Sequence, residues 1–488
     1  MFSQTVDTTL SIRRADALQF LLGRENYERW QKMPYDPARM GIERMRQLLE
    51  AIGSPQENLP IVHVAGTKGK GSTAAMIAAA LSAAGYRTGL FTSPHLERIE
   101  QRIAIDGQPC TAEEFTALLE LLRPAVDTLD RRAAEGRSGP TFFEIVTAMA
   151  FLHFSRKKVQ VAVLEVGLGG RLDATNVCQP TVSVITSISF DHTQQLGNTL
   201  AAIAGEKAGI IKPGVPVVSG VVQVEARNVI RQACQKTGSR LIERETDFNF
   251  DYHAPRHLER EAACGQVIFR RTASSTAAIP GSPPQDHALL PECFDLSLPG
   301  RHQAANAATV LATLDFLRSL GWNIPLAATQ RALAGLSWPA RVQVLSRRPV
   351  VVLDSAHNVA SMQALVETLG ESFAVARRFL IFATSRDKDV RGMLQCLLSY
   401  FDEVYFTCYR ENSRAIPPEE LQHAAEELAG RRRMAFAEPA EAWKAARQSV
   451  TVNDLVCITG SFFLAAELGP VVQDEMAKSD ISNLKSEI

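Results

Sequence analysis

Neither sign of charge is in surplus in this sequence: 52 Lys and Arg stand against 53 Asp and Glu, for a net charge of −1. Without a basic field the chain has no general means of holding nucleic acid or an anionic membrane. Any anionic ligand must be held by a local site. Cysteine is scarce as well. Eight are scattered over 488 residues, and no two stand at Cys-x-x-Cys spacing. That argues against a thiolate zinc site, a redox pair or a disulfide scaffold, and a reducing cytoplasm is the expected compartment. The first residues, Met1 to Asp7, lack a basic start followed by an apolar core, so no signal peptide is expected. No apolar run is long enough to span a bilayer, which takes about 20 residues; the most apolar, Ala74 to Tyr86, falls short. What remains is ordinary globular composition, 46% hydrophobic and 22% charged, which excludes a disordered chain, a collagen or a coiled-coil rod. At roughly 100–200 residues per domain, the length suggests two large domains.

The order of elements predicts a parallel α/β sheet. Ile42, Met45, Leu48, Leu49 and Ile52 fall at helical spacing, and Gly53 and Pro55 stop the run. A short apolar strand (Leu59 to Ala65), a Gly-rich turn, an Ala-rich helix (Ser72 to Ala84) and a second strand (Thr88 to Thr92) follow. Val159 to Val166 and Thr181 to Thr186 are predicted as further buried strands. The segment 241–300 breaks this rhythm. Thr272 to His287 is rich in Ser, Ala, Pro and Gly and is expected to be an exposed loop between short strands, Gln266 to Arg271 and Phe294 to Leu298. A helix from Gln303 to Leu320 comes next. New strands begin at Val350, with Phe379 to Ala383 and Asp454 to Thr459 as two more. The predicted division is a larger α/β domain over 1–338, a smaller Rossmann-like domain over 339–470 and a tail over 471–488.

The turn Gly66-Thr67-Lys68-Gly69-Lys70-Gly71-Ser72-Thr73 lies between strand and helix. Glycines let backbone N–H groups approach phosphate oxygens, and the helix N-terminus adds partial positive charge. Lys70 is placed to reach β- and γ-phosphates, and the Ser72 hydroxyl to ligate Mg²⁺. Strict Walker spacing is not met: Val64 replaces the first Gly, and Gly71 separates Lys70 from Ser72. Three glycines, two lysines and three hydroxyls among these residues still point to phosphate, though not to a particular nucleotide. Glu165 ends an apolar strand, at the edge where ligands gather in open α/β sheets. A lone strand-end Glu is more often structural, but the neighbouring loop favours Mg²⁺. Gly167-x-Gly169 is not a dinucleotide fingerprint, because Leu172 occupies the third glycine position.

His63 to Ser72 resembles the phosphate loop of folylpolyglutamate synthase and dihydrofolate synthase, the folate branch of the Mur ligases. Further motifs follow in that family's order: Ser93-Pro94-His95-Leu96, Thr141-Phe142-Phe143-Glu144, Glu165 to Asn176, Asp191-His192, Glu206 to Ile210, His302 to Ala308, and Leu353-Asp354-Ser355-Ala356-His357-Asn358. The resemblance spans about residues 40–465. The sequence departs from the family pattern in three places. Lys68 stands where bacterial members more often have Asn, Pro339-Ala340-Arg341 replaces Pro-Gly-Arg, and Ser355 stands where Gly is frequent.

The resemblance implies an α/β Mur-ligase fold with the active site in a cleft between the two domains. It implies that His192 binds a second Mg²⁺ shared with Glu165. It also implies that Lys207 is carboxylated by CO₂ on its ε-nitrogen, giving a carbamate whose oxygens suit Mg²⁺. Read alone, Lys207 on a helix from Thr199 to Ala208 is a solvated lysine. By resemblance Asn306 contacts adenine (read alone, an N-cap), Arg341 contacts ATP phosphates, and Asp354 contacts ATP. His357 lies at the glutamate site, with Ser461 a weaker candidate there. Read alone, Asp354 and His357 are equally loop caps. Thr141, Phe142 and Phe143 are implied pterin or folate contacts, though Phe142 fits a core position as well. Arg171 either stabilises developing phosphate charge or pairs with Asp173.

The implied reaction is ATP-dependent ligation of L-glutamate to dihydropteroate or to a tetrahydrofolate glutamate tail, through an acyl phosphate. The partners are small molecules, with no nucleic acid and no membrane, and a monomer is expected. The alternatives are a cell-wall Mur-type ligase and, in another class, a P-loop ATPase switch that releases phosphate without glutamate.

Overall fold

The computed structural model describes residues 2–28, 40, 42–133, 139–272, 291–410 and 412–486. The chain forms two compact units. The first comprises Met1–Asp251, Ile268–Phe294 and Ala305–Leu333, and the second Tyr252–Val267, Asp295–Ala304 and Ala334–Ile488.

The first unit is built on an eight-stranded sheet. Its strands are β1 (Ile61–Ala65), β2 (Thr88–Phe91), β3 (Ile103–Ile105), β4 (Gln108–Pro109), β5 (Val161–Glu165), β6 (Val182–Ile185), β7 (Val217–Ser219) and β8 (Leu241–Glu243), in the order β4-β3-β2-β5-β1-β6-β7-β8. All pairings are parallel except the antiparallel edge β2-β3-β4. The central strands are Val- and Ile-rich and buried along their whole length, as a sheet covered on both faces requires. Strand β1 lies between β5 and β6, with Val64 opposite both Glu165 and Val184. The loops leaving β5 and β6 therefore flank the loop leaving β1.

The helix Lys70–Ala83 packs against β1, β2 and β5. Its run of alanines lets it approach the sheet closely, and Met76, Ile77 and Leu81 are fully buried. The helices Ala112–Arg132 and Phe142–Arg156 carry Phe115, Leu122, Phe151 and Phe154 into a core with Ile61, Phe91 and Leu164 of the sheet. Each opens with a capping box, Thr111 with Glu114 and Thr141 with Glu144.

A three-stranded sheet, β9 (Phe248–His253), β10 (Gly265–Arg271) and β11 (Glu292–Leu296), has the order β11-β10-β9. Strand β11 starts and ends two residues earlier than expected. It stops ahead of Pro299, which has no N–H for a ladder. The loop expected over Thr272 to His287 lies, beyond Thr272 itself, outside the described residues.

The second unit's sheet contains β12 (Gln343–Arg347), β13 (Val350–Leu353), β14 (Arg378–Phe382), β15 (Glu403–Phe406), β16 (Met434–Ala435) and β17 (Leu455–Thr459), in the order β12-β13-β17-β14-β15-β16. It is parallel except for β12 at the edge. Met362, Leu365, Met393, Leu397 and Leu421, from three helices, cover one face and share a core with Val352, Leu380 and Val404. Among the described residues, no helix is long and apolar enough to cross a membrane.

Candidate functional site

The loop after β1 turns into the helix at Gly69, which adopts φ 81° and ψ −2°. Only glycine takes this left-handed geometry without strain. No side chain caps the helix that starts at Lys70, so its first N–H groups are presented as anion donors. Two close approaches show what lies against the loop, severe at Gly69 and tight at Gly71. A Cβ on Gly69 would lie 2.3 Å from Asn306 Oδ1, and one on Gly71 would lie 3.3 Å from Glu165 Oε2. The loop thus brings together Lys70, Ser72, Glu165 and Asn306, which are widely separated in sequence. Asn306 is the sixth residue of the helix Arg301–Ser319, so the N-cap alternative is corrected. Its amide sits against the phosphate loop.

The far side of the loop is tied to the segment after β6. The Thr67 N–H donates to Ser187 O (2.7 Å), and the Lys68 N–H donates to Ser187 Oγ (3.1 Å). The Thr186 and Ser187 hydroxyls donate to Lys68 O at 2.6 and 3.0 Å. Lys68 Nζ donates to Asp191 Oδ2 at 2.8 Å. The next residue, His192, has φ 49° and ψ 39° and opens the short helix Thr193–Leu196. Its side chain is 41% exposed.

Lys207, on the helix Leu200–Ala208, is 4% exposed. The solvated-lysine reading is thereby corrected: hydrophobic helix neighbours Ile203 and Ala204 turn this face inward. Burial, reinforced by Lys70 and Lys68 and opposed by Asp191, lowers the amine's pKa to about 7. The turn after β5 holds this helix in place. Arg171 N–H donates to Glu206 O (2.8 Å), and Asn176 Nδ2 donates to Arg171 O and Gly209 O at 3.0 and 3.1 Å. The Arg171 guanidinium pairs with Glu206, with Nη2–Oε1 at 2.8 Å, and not with Asp173. Asp173 is buried. It accepts from Leu168 N–H and from the Thr175 hydroxyl (2.6 Å), which in turn lies 2.8 Å from His63 Nε2. Burial raises the Asp173 pKa, and burial with the Lys212 charge lowers that of His63 to about 3.

The expected aromatic contacts separate. Phe142 is 1% exposed and lies in the core, beneath the Arg102 guanidinium at 5.2 Å, so its ring offers no open face for stacking. Phe143 is only partly buried. It packs against Phe91 and approaches Gly167 in the turn after β5. Thr141 is buried and spends its hydroxyl and N–H on Glu144. Two groups here went unforeseen. Ser93 N–H donates to Glu165 Oε2 (3.1 Å), and the buried Arg102 binds His95 Nδ1 and Glu28. Ser93 and His95 stand in a motif visible in the sequence, whereas Arg102 carried no signal there.

In the second unit, Asp354 directly follows β13, with both oxygens engaged. Oδ2 accepts from Val342 N–H (2.9 Å) and Oδ1 from Ala356 N–H (2.7 Å). Both contacts are to backbone N–H groups of the adjoining chain. Arg341 donates to Ala340 O and Ser355 Oγ and lies over Phe462. His357 Nδ1 lies 2.9 Å from Ser355 O, and the buried Ser461 accepts from Phe463 N–H.

The Ser72 hydroxyl and the Glu165 carboxylate are oxygen donors of the kind a hard divalent cation takes. Two hydroxyls beside the loop, Thr73 Oγ1 and Ser189 Oγ, are buried with no hydrogen-bond partner among the described residues. Among those residues no three His, Cys, Asp or Glu side chains form a ready-made metal cage. A cation here therefore needs ligand oxygens from outside that set.

Residues 64–314 match the Mur ligase middle domain, and residues 340–462 match the Mur ligase glutamate ligase domain. The chain is 35% identical over 433 residues to the dihydrofolate synthase/folylpolyglutamate synthase of Bacillus subtilis, covering 88% of this chain and 94% of that protein. It is 36% identical over 427 residues to the protein of that name from Mycobacterium tuberculosis, covering 84% and 82%. The structure of E. coli FolC in complex with DHPP and ADP superimposes with a TM-score of 0.78 at 30% identity, over 95% of this chain and 98% of that one. Identity of this extent along nearly the whole chain, with both domain matches in order, places the chain in the folylpolyglutamate synthase/dihydrofolate synthase family of Mur ligases.

Proposed function

We propose that this protein is an ATP-dependent ligase that joins L-glutamate to a folate-pathway carboxylate, either dihydropteroate or the glutamate tail of a tetrahydrofolate. The observation that carries the reading is the close approach of the Glu165 carboxylate to the phosphate loop at Gly71, within a chain of this family. Lys70 and the open N–H groups of its helix hold the triphosphate. The substrate carboxylate attacks the γ-phosphorus to give an acyl phosphate and ADP. The glutamate α-amine then attacks the activated carbonyl, and phosphate leaves. The chain's own contribution is positioning and charge screening.

Ser72, Glu165, His192 and a carbamate on Lys207 would hold Mg²⁺, two ions in all, which supplies charge neutralisation at the phosphates when bound. The buried Lys207 amine, its pKa lowered to about 7, supports this, since a sizeable share of it is neutral and CO₂ adds to a neutral amine. Asn306 is assigned to the nucleotide and Phe143 to the pterin side. Arg341 and Asp354 are assigned to ATP, and His357 and Ser461 to glutamate. The eight unpaired cysteines suit a reducing cytoplasm.

The test is the dependence of ADP release on both co-substrates. With dihydropteroate and tetrahydrofolate assayed in parallel, ADP is expected only when an acceptor and glutamate are both present. Steady ADP release without glutamate would instead mark an ATPase switch. A second expectation concerns the loop. Gly69→Ala forces a side chain into the Asn306 amide and a left-handed backbone on alanine. ADP affinity is expected to fall at least about tenfold by titration calorimetry, roughly 1.4 kcal/mol. Unchanged affinity would remove Asn306 and Gly69 from the nucleotide site.

A further inference from the structure

We propose that Lys68 is a positioning residue rather than a phosphate ligand: it is a strut from the phosphate loop to Asp191 that fixes the His192 turn for metal binding. The inference rests on the ligase reading above and assigns a role within that site. Lys68 Nζ donates to Asp191 Oδ2 at 2.8 Å, and the Asp191 carboxylate is 7% exposed against 26% for the Lys68 side chain. The other oxygen of that carboxylate, Oδ1, accepts the His192 backbone N–H at 3.0 Å. One carboxylate thus bridges the Lys68 ammonium and the residue whose imidazole is the proposed ligand. His192 sits at φ 49°, a conformation unfavourable for a residue with a Cβ, so the turn needs outside support. Other ties between the loop and this segment, among them Thr67 Oγ1 to Ser189 and the Lys68 carbonyl to Thr186 and Ser187, act on residues 186–189. They fix the backbone up to residue 189, while Lys68 reaches the turn itself. A lysine stem spans this gap as a point charge that a shorter neutral side chain does not supply.

The experiment compares wild type with Lys68→Met, Asp191→Asn, the double variant and Lys68→Arg. Backbone hydrogen exchange across residues 187–197 is measured without metal or nucleotide. The Mg²⁺ concentration for half-maximal glutamate-dependent ADP release and the KM for ATP at saturating Mg²⁺ are measured alongside. A strut predicts faster exchange in that segment for both single variants. It also predicts an approximately tenfold rise in the Mg²⁺ requirement, the size a charged hydrogen bond supplies. The double variant should be no worse than either single, ATP KM should hold within about twofold, and Lys68→Arg should restore most of the loss. A raised ATP KM in Lys68→Met but not in Asp191→Asn would make Lys68 a phosphate ligand and overturn the proposal. Additive effects, or unchanged exchange in both variants, would overturn it as well. Wild-type protein that fails to couple ADP release to glutamate would sink the ligase reading alone, because the exchange measurement still decides the strut.

Discussion

Lys207→Met is expected to abolish ligation while making the metal-free protein more stable. The wild-type amine is 4% exposed, and its pKa falls from 10.5 to about 7, chiefly through burial. Below pH about 7 the folded and unfolded chains both carry this proton, and folding bears the whole cost of burying the charge. Between about 7 and 10.5 the unfolded chain holds a proton that the folded chain lacks, so stability rises with pH. Methionine fills the same volume without that cost. Its advantage, about 1–4 kcal/mol by analogy with other buried charges replaced by apolar groups, should be largest at pH 6 and shrink by pH 9. Thermal melting of both proteins in CO₂-stripped, metal-free buffer measures it. Activity should fall by at least about 100-fold, some 2.7 kcal/mol of barrier, because no carbamate can form on methionine. A variant no more stable at pH 6, or one that still ligates, would refute the buried-amine account. Wild-type activity should also rise with added bicarbonate.

Glu165→Gln should leave the fold intact and remove most of the turnover. The substitution is isosteric, and an amide oxygen can still accept the Ser93 N–H that now reaches Oε2 at 3.1 Å. What disappears is a full negative charge beside Gly71 at the phosphate loop. A lost carboxylate ligand to a divalent cation costs several kcal/mol of transition-state stabilisation, so kcat should drop by about 10²–10³. The melting temperature should change little, and the Mg²⁺ requirement should rise. Near-normal kcat would mean that Glu165 is the structural carboxylate its sequence context equally allowed.

The parts legible from sequence are those whose signal is local. The turn Gly66 to Thr73 announces itself because glycine is the residue that tolerates its backbone, and Val- and Ile-rich runs mark strands buried on both faces. Contacts between distant segments left little trace. Nothing near Asn306 shows that its amide faces Gly69, and nothing near Lys207 shows burial, since a lysine on a helix is normally solvated. Arg171 had an acid two residues away in Asp173, yet it pairs with Glu206, because the turn after β5 folds onto the end of the helix Leu200–Ala208. Phe142 and Phe143 are neighbours of identical chemistry. Only the packing of their helix against the sheet sends one into the core and leaves the other at the edge. The likeness of whole motifs to a known family implied roles for these residues, and the structure supplies the contacts.

One consequence follows from the seat of β1 between β5 and β6. A deletion within β1 would shorten the strand by about 3.3 Å and turn its remaining side chains to the opposite face. The triphosphate cradle, the acidic group on one flank and the histidine turn on the other would then drift out of line together. Damage to this strand should silence the catalyst in a single stroke, with no graded series of weakened forms between working and dead.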